Sequence, residues 1–333
     1  MADILPTVLQ TMLISTTQDQ PVQKVLLVTY FRGGSTFLAE LFNQNSDAFY
    51  WYEPYADLYD HATETEGLPN DPTGGELFDG SNNTLRNLRL KRYNQSFYNL
   101  TKNILDCNFK DIDVGTLKHN FITSWTHSNS FLSYRQCMAT NKERVDICLG
   151  AVQKKCELAK HRVIKTIRTP LEYTQGYLDS IPDLKIIHSV RDPRGILHSR
   201  RQVGVVRAYT EKFSQKLCTR MVVDWRLAQE MNRNQPKRVM VARYEDLVRD
   251  FEREYSRVYA FVGAEAKVEI MQWFLKNMHG TFDGDWGTSR NSDYVANRWK
   301  TEIDGETLGL LTERCGEAIR LLRYSMTEDR TVV

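Results

Sequence analysis

The sequence has no G-x-x-x-x-G-K-[ST] element, no C-x-x-C pair, no long uninterrupted apolar run and almost no charge imbalance. Without that glycine loop, its lysine and its metal-binding hydroxyl, the usual signature of magnesium–ATP phosphotransfer is missing. Without a Cys/His cluster there is no pattern for a zinc site, and no metal is expected. The first 22 residues contain ILPTVLQTMLI, but Pro6, Thr7, Gln10 and Thr11 interrupt it, whereas a spanning helix needs roughly 20 predominantly apolar residues. A basic n-region is also absent, so this is a poor signal peptide. Residues 1–22 therefore read as a stem or disordered segment with no visible membrane anchor. The balance of 44 basic and 42 acidic residues leaves +2, which argues against a dedicated nucleic-acid binder. Any basic site must be local.

What the sequence does have is organised around Lys24 to Phe42, KVLLVTYFRGGSTFLAELF. Val25, Leu26, Leu27 and Val28 form the continuous apolar run of a strand covered on both faces. Ser35 and Thr36 suit a first helical turn, after which Phe37, Leu38, Leu41 and Phe42 share one helix face. Arg32, Gly33 and Gly34 lie between. Such a junction aims backbone N–H groups and a helix N-terminus at one point, where an anion is favoured. The stretch is read as a cradle for a mononucleotide with a 5′ anion; a plain structural turn is the competing reading. At 333 residues and 41% hydrophobic content, the chain can form one large α/β domain with insertions or two domains.

Ala48 to Tyr52 is the second expected strand, ended by Glu53-Pro54. Ligands in open parallel sheets sit at the strands' carboxyl ends, so Glu53 is a general-base candidate facing the same crevice. A surface carboxylate or salt bridge is the alternative. Residues 57–150 read as an insertion that shapes an acceptor pocket, with a long loop from Leu68 to Asn83. His119, Trp125 and His127 are candidates to touch substrate, against ordinary packing or surface roles. Arg162 to Ile167 is a strand flanked by Lys165 and Arg168, and a helix follows from Leu171 to Leu178. Leu184 to Val190 is another strand, running into Arg191, with Asp192 as N-cap and Pro193 opening a helix that carries Ser199. A guanidinium fork plus a hydroxyl suits a second phosphate.

A long helix from Val205 to Asn232 is expected next, with Phe213, Leu217, Met221 and Trp225 at core spacing. Arg238 to Tyr244 reads as a strand, and Glu245-Asp246-Leu247 as the opening of the helix Phe251 to Val262. Tyr244 is placed either against a base or in the core. Arg290, in the loop Trp286 to Ser292, is either a closing lid residue or an exposed arginine. A final amphipathic helix should reach Leu322. Six cysteines, Cys107, Cys137, Cys148, Cys156, Cys218 and Cys315, and the N-x-[ST] sequons at Asn82, Asn94 and Asn99 favour a secretory lumen, where disulfides are permitted. A cytoplasmic protein with free buried cysteines is the alternative.

RGGSTFLAELFNQ at 32–44, FYWYEP at 49–54, VIKTIR at 163–168, IIHSVRDPRGILHSR at 186–200, RYEDLV at 243–248 and SRNSDYVANRW at 289–299 occur in that order. Together they resemble the Golgi carbohydrate 6-O-sulfotransferases of the Gal/GalNAc/GlcNAc group, from about residue 24 to the C-terminus. The resemblance implies a single sulfotransferase domain over 23–333: a three-layer, P-loop-like α/β fold with a central, mostly parallel sheet flanked by helices. It implies 3′-phosphoadenosine 5′-phosphosulfate, PAPS, as sulfuryl donor, PAP as product, and a glycan acceptor in the Golgi lumen. Arg32, Gly33, Gly34, Ser35, Thr36 and Phe37 match its 5′-phosphosulfate loop, and Arg191 and Ser199 its 3′-phosphate element. Glu53 matches its proposed base. Arg168, Tyr244 and Arg290 match positions near nucleotide or substrate, and Cys218 and Cys315 a cysteine pair. Family members usually carry an N-terminal membrane anchor, which this sequence does not display. The rival readings are a nucleotide kinase, a sulfotransferase for protein tyrosine or heparan, and a catalytically silent glycan-binding protein on the same fold.

Overall fold

Five short runs of β-branched, aliphatic and aromatic residues form the strands: β1 (Gln23–Val28), β2 (Ala48–Tyr52), β3 (His161–Thr166), β4 (Leu184–Val190) and β5 (Val239–Arg243). This computed structural model describes residues 21–65, 84–124, 127–205, 209, 211–280 and 291–326. The strands pair in the order β2-β3-β1-β4-β5, and all four pairings are parallel. Every residue of β2 is buried, as a parallel strand covered on both faces requires.

Alternation along the strands divides the interior into two layers. Leu26, Val28, Phe49, Trp51, Ile164 and Ile186 point to one face, and Val25, Leu27, Tyr50, Val163 and Ile187 to the other. Between β1 and β2 runs α1 (Ser35–Asn43); β2 leads into α2 (Ala56–Thr65), α3 (Thr84–Leu105), α4 (Val114–Lys118), α5 (Asn120–Thr123), α6 (Leu132–Thr140) and α7 (Val145–Glu157). Phe97, Leu100 and Ile104 of α3, with Tyr134, Met138 and Val152 of α6 and α7, cover the first face. The segment 57–150 thus supplies helices to the main core. Its expected loop from Leu68 to Asn83 lies outside the described residues.

After β3 come α8 (Leu171–Ser180), β4, α9 (Pro193–Gln202), α10 (Glu211–Asn234) and β5. The remainder is helical: α11 (Tyr244–Arg249), α12 (Phe251–Val262), α13 (Val268–Met278), α14 (Ser292–Asn297), α15 (Trp299–Glu302), α16 (Gly305–Arg314) and α17 (Gly316–Leu321). Helices α1, α11, α12 and α13 cover the second face. A third apolar cluster joins Ile196 and Leu197 of α9 to Leu217, Met221 and the C-terminal helices.

Several boundaries differ from the sequence expectation. The helix expected from Val205 begins at Glu211, and Phe213 is 40% exposed; it lies in the first turn, ahead of the part of α10 that packs. Tyr244 opens α11 instead of closing β5, and Asp250, at φ −139° and ψ 68°, separates α11 from α12. The final helix is broken between α16 and α17 at Cys315.

The cysteines pair as Cys107–Cys156, Cys137–Cys148 and Cys218–Cys315. The third pair, the one implied by the family resemblance, ties α10 to the C-terminal helices across a sequence separation of 97 residues. By chain entropy a link of that length restricts the unfolded state by about 4–5 kcal/mol. The double variant Cys218→Ala, Cys315→Ala should therefore show a clearly lower urea midpoint; an unchanged midpoint would mean that the bridge contributes no stability.

Candidate active site

The chain leaving β1 folds back on itself before α1. The Gly33 N–H donates to the Tyr30 carbonyl at 2.8 Å, and a Cβ on Gly33 would meet that oxygen at 2.8 Å and Thr29 Oγ1 at 2.9 Å. Arg32 and Gly34 have φ of 67° and 78°. Gly34 caps α1 with no side-chain acceptor for the first-turn N–H groups, which leaves Ser35 and Thr36 at a nine-residue helix's N-terminus. Phe37 points into the core, edge-on to Tyr244 and Phe274.

The second junction, between β4 and α9, is joined to the first. The Asp192 side chain caps α9 by accepting from the Arg194 N–H at 2.9 Å, and Pro193 holds the first helical position. Arg191 donates from Nη1 to the Arg32 carbonyl at 3.2 Å and from Nη2 to the Val295 carbonyl at 2.6 Å. Its Nε is buried without a partner. The Ser199 hydroxyl accepts from Arg32 Nε at 2.9 Å, and Arg200 Nε donates to the Phe31 carbonyl at 3.1 Å. Arg32, Arg191 and Ser199 therefore form one wall.

Tyr244 is the floor beneath that wall. Its ring lies under the Arg191 guanidinium, 5.0 Å from ring centre to Cζ, and is nearly buried. A Cβ on Gly34 would come within 2.3 Å of it. Behind Tyr244, Glu245 accepts from the Asp192 N–H and from the Tyr324 hydroxyl, both at 2.9 Å. Burial, then the neighbouring Asp192, pushes the Glu245 carboxyl above the usual carboxylate range.

Glu53 ends β2 with φ 50°, and its N–H still pairs with the Lys165 carbonyl at 2.9 Å. Its side chain is 1% exposed: Arg168 Nη1 donates to Oε2 at 2.7 Å, and Lys165 Nζ lies 2.6 Å from Oε1. The lysine contact is off the line of a well-formed hydrogen bond. The backbone N–H of Ile167 also donates to Oε2. Glu53 is thus a buried, ion-paired carboxylate and not a surface one. Lys165 sits over the Tyr52 ring, while Arg168 lies against Tyr59 and Phe121 with its Nε buried and unpartnered.

His119 and His127 border this corner. His119 Nδ1 accepts from the Phe121 N–H and Nε2 faces Asp60 at 3.7 Å; burial above all holds its pKa down. The His127 ring lies 4.9 Å from that of Tyr52. Arg290 and Trp125 lie outside the described residues. Sequence reasoning missed the pairing of Lys165 with Glu53, and a buried group formed by Tyr30, His188, Arg220 and Asp224. The i,i+4 spacing of Arg220 and Asp224 was the available signal for the second.

The model of the sulfotransferase family matches residues 25–267. The chain belongs to the sulfotransferase family. The matched range contains the loop, Glu53, Arg168, Arg191, Ser199 and Tyr244 and stops before α14. This sulfotransferase is 25% identical to human carbohydrate sulfotransferase 3 over 342 residues, covering 93% of this chain and 68% of that protein. It is equally similar, at 25%, to mouse carbohydrate sulfotransferase 5, with 90% and 80% covered. Solved structures of similar shape include the sulfotransferase domain of the Synechococcus PCC 7002 olefin synthase, at TM-score 0.49, 14% identity and coverages of 92% and 96%. Mouse sulfotransferase SULT7A1, solved with PAP, is 15% identical at TM-score 0.42, with 92% and 90% covered. No helix among the described residues of this sulfotransferase is long and apolar enough to cross a membrane.

Proposed function

We propose that this sulfotransferase moves a sulfuryl group from PAPS to the 6-hydroxyl of a Gal, GalNAc or GlcNAc residue in a glycan, releasing PAP. The observation that carries the reading is the single wall made by two strand–helix junctions, with Glu53 at the carboxyl end of β2 on the same sheet. Its donor set fits a nucleotide with two separate anionic groups: α1's first-turn N–H groups with Arg32, Ser35 and Thr36 at one junction, Arg191 and Ser199 at the other. The orphaned Arg191 Nε is a buried donor suited to a phosphate oxygen.

Bound PAPS supplies the sulfuryl group and a stable phosphate leaving group. Arg32 and the N–H groups of Gly34 to Thr36 hold the 5′ end and neutralise charge growing on the departing oxygen. Arg191 and Ser199 hold the 3′-phosphate, over the Tyr244 floor. Glu53 takes the proton of the sugar hydroxyl as the bond from sulfur to that oxygen forms and the bond from sulfur to the leaving oxygen breaks. By analogy with phosphoryl transfer, such a step draws its catalysis from positioning and charge stabilisation. Arg168 must yield for a hydroxyl to reach Glu53 Oε2, and its contacts with Tyr59 and Phe121 keep the guanidinium supported as that ion pair loosens. The carbohydrate sulfotransferase names of the relatives support a glycan acceptor, with residues 57–150 bordering its site. Three disulfides support an oxidising secretory compartment, here the Golgi lumen.

The test is a thermal-shift titration with 3′,5′-ADP and, separately, with ATP plus magnesium. A ligand that binds only the folded state raises its stability by about 2.7 kcal/mol at one hundred times Kd. Stabilisation by 3′,5′-ADP without metal is expected; a response to ATP–magnesium alone would overturn the reading. Transfer of radiolabelled sulfate from PAPS to tyrosine peptide, or to heparan at positions other than a sugar 6-hydroxyl, with none to the 6-hydroxyl of Gal, GalNAc or GlcNAc, would move the acceptor elsewhere.

A further inference from the structure

His188, on β4 directly below the loop, makes contacts that a neutral imidazole cannot satisfy together while the Asp224 carboxylate is ionised. Its Nδ1 lies 3.3 Å from the Val28 carbonyl oxygen, and its Nε2 lies 3.1 Å from the Tyr30 hydroxyl. That hydroxyl also lies 2.7 Å from Asp224 Oδ2. A carbonyl only accepts, so Nδ1 must carry a proton, and in the neutral ring Nε2 is then a lone pair. Tyr30 has one proton for two acceptors. Given to Asp224, it leaves two lone pairs facing each other at Nε2; given to His188, it leaves the same conflict at Asp224. The other neutral tautomer moves the conflict to Val28. One added proton resolves all three contacts: Nδ1–H to Val28, Nε2–H to the Tyr30 oxygen, and Tyr30 O–H to Asp224.

The site is buried on every side. Tyr30, His188, Arg220 and Asp224 are all nearly inaccessible. Arg220 and Asp224 of α10 face the ring along with Tyr30, Arg200 of α9 acts on the Tyr30 hydroxyl, and β5 presents Val241 opposite His188 in register. Arg220 Nε stands 3.4 Å from Asp224 and the guanidinium lies over the Tyr30 ring, so their charges largely offset. Burial, the dominant influence, holds His188 below the ordinary histidine pKa, so desolvation opposes the added proton that the contacts favour.

Tyr30 is also the root of the loop, since its carbonyl closes the turn at Gly33 and the next residue, Phe31, is held by Arg200. We infer that His188 is a positioning residue that takes up one proton when the anionic nucleotide binds, and through Tyr30 and Asp224 fixes the loop. The inference rests on the PAPS reading above. A polyanion arriving at the loop favours the imidazolium, so His188 titrates at a higher pH in the complex than in the free protein. The added contribution to affinity is present below the bound-state pKa and disappears as pH rises through it.

Isothermal titration of 3′,5′-ADP near neutral pH, in two buffers of different ionisation enthalpy, counts the protons taken up. The His188→Gln and Tyr30→Phe variants provide the baseline, since protonation of the ligand's own phosphates is common to all three proteins. Wild type should take up as much as one proton more than either variant. Equal proton numbers, with binding intact, would overturn the inference and leave the cofactor reading standing. No binding of 3′,5′-ADP to wild type would remove both. Should the variants fail to fold, nitrogen-15 spectra of the histidine-labelled wild type decide the matter. One buried ring must change from neutral to imidazolium on ligand addition, and no such change refutes the inference.

Discussion

Replacing Glu53 with Gln should lower turnover by about 10²–10⁴-fold, the range for loss of a general base, while 3′,5′-ADP binding persists. The amide keeps the size of the side chain and can still accept from Arg168, but it cannot take the proton of an attacking hydroxyl. It also leaves Lys165 facing a neutral group in a site where the Glu53 side chain is 1% exposed. Removing one partner of a buried pair costs about 3–5 kcal/mol, so turnover must be expressed per mole of folded protein, counted by 3′,5′-ADP binding. Glu53→Asp provides a second reading: it restores the charge but withdraws the carboxylate by one methylene, and should give partial activity. Near-normal turnover in Glu53→Gln would confine this residue to holding β2 against β3.

The second large effect is expected from Gly34→Ala. Two independent requirements meet at this position. Its φ of 78° is left-handed, which costs a residue with a Cβ roughly 1–2 kcal/mol, and that Cβ would lie 2.3 Å from the Tyr244 ring. The ring cannot move freely, because Arg191 stacks on it and Phe37 meets its edge. Nucleotide-induced stabilisation should be abolished, since loop, Arg191 and Tyr244 would shift together. Pairing Gly34→Ala with Tyr244→Ser removes the clash and leaves the backbone strain, so partial recovery of 3′,5′-ADP binding is expected. If Gly34→Ala alone binds 3′,5′-ADP as wild type does, the loop is not the seat of the 5′ anion.

The sequence-legible parts of this fold share one property: their cause is local. The continuous apolar runs of β1 and β2 marked them because a strand buried on both faces cannot alternate, and shorter apolar runs marked β3, β4 and β5. Asp192 and Pro193 marked the start of α9 through capping and a fixed φ, and the left-handed turn at Gly34 announced itself by composition. Non-local causes were hidden. The ion pairs of Glu53 depend on the β2–β3 register that sets Tyr52 beside Lys165. The His188 contacts draw on β1, β4 and α10 at once. Phe213 has the spacing of a core residue, but the part of α10 that is covered begins beyond it. The break at Asp250 reflects the need to turn α12 onto the second face, against a helix-compatible sequence.

The sheet order also fixes a timetable for the growing chain. β1 lies between β3 and β4, strands that begin at His161 and Leu184. Its apolar run must therefore wait, unpaired, until about half the protein has been synthesised. Long-range parallel pairing of this kind is slow, and it leaves hydrophobic edges open to association. The disulfides would close in sequence along the same schedule. Cys137–Cys148 and Cys107–Cys156 can form before β3 exists, organising the helices that later cover Phe49 and Trp51. Cys218–Cys315 has to wait for almost the last helix. Closure of the bridges in chain order thus ends with a covalent seal on α10, the helix that carries Arg220 and Asp224 to Tyr30 at the root of the β1–α1 loop.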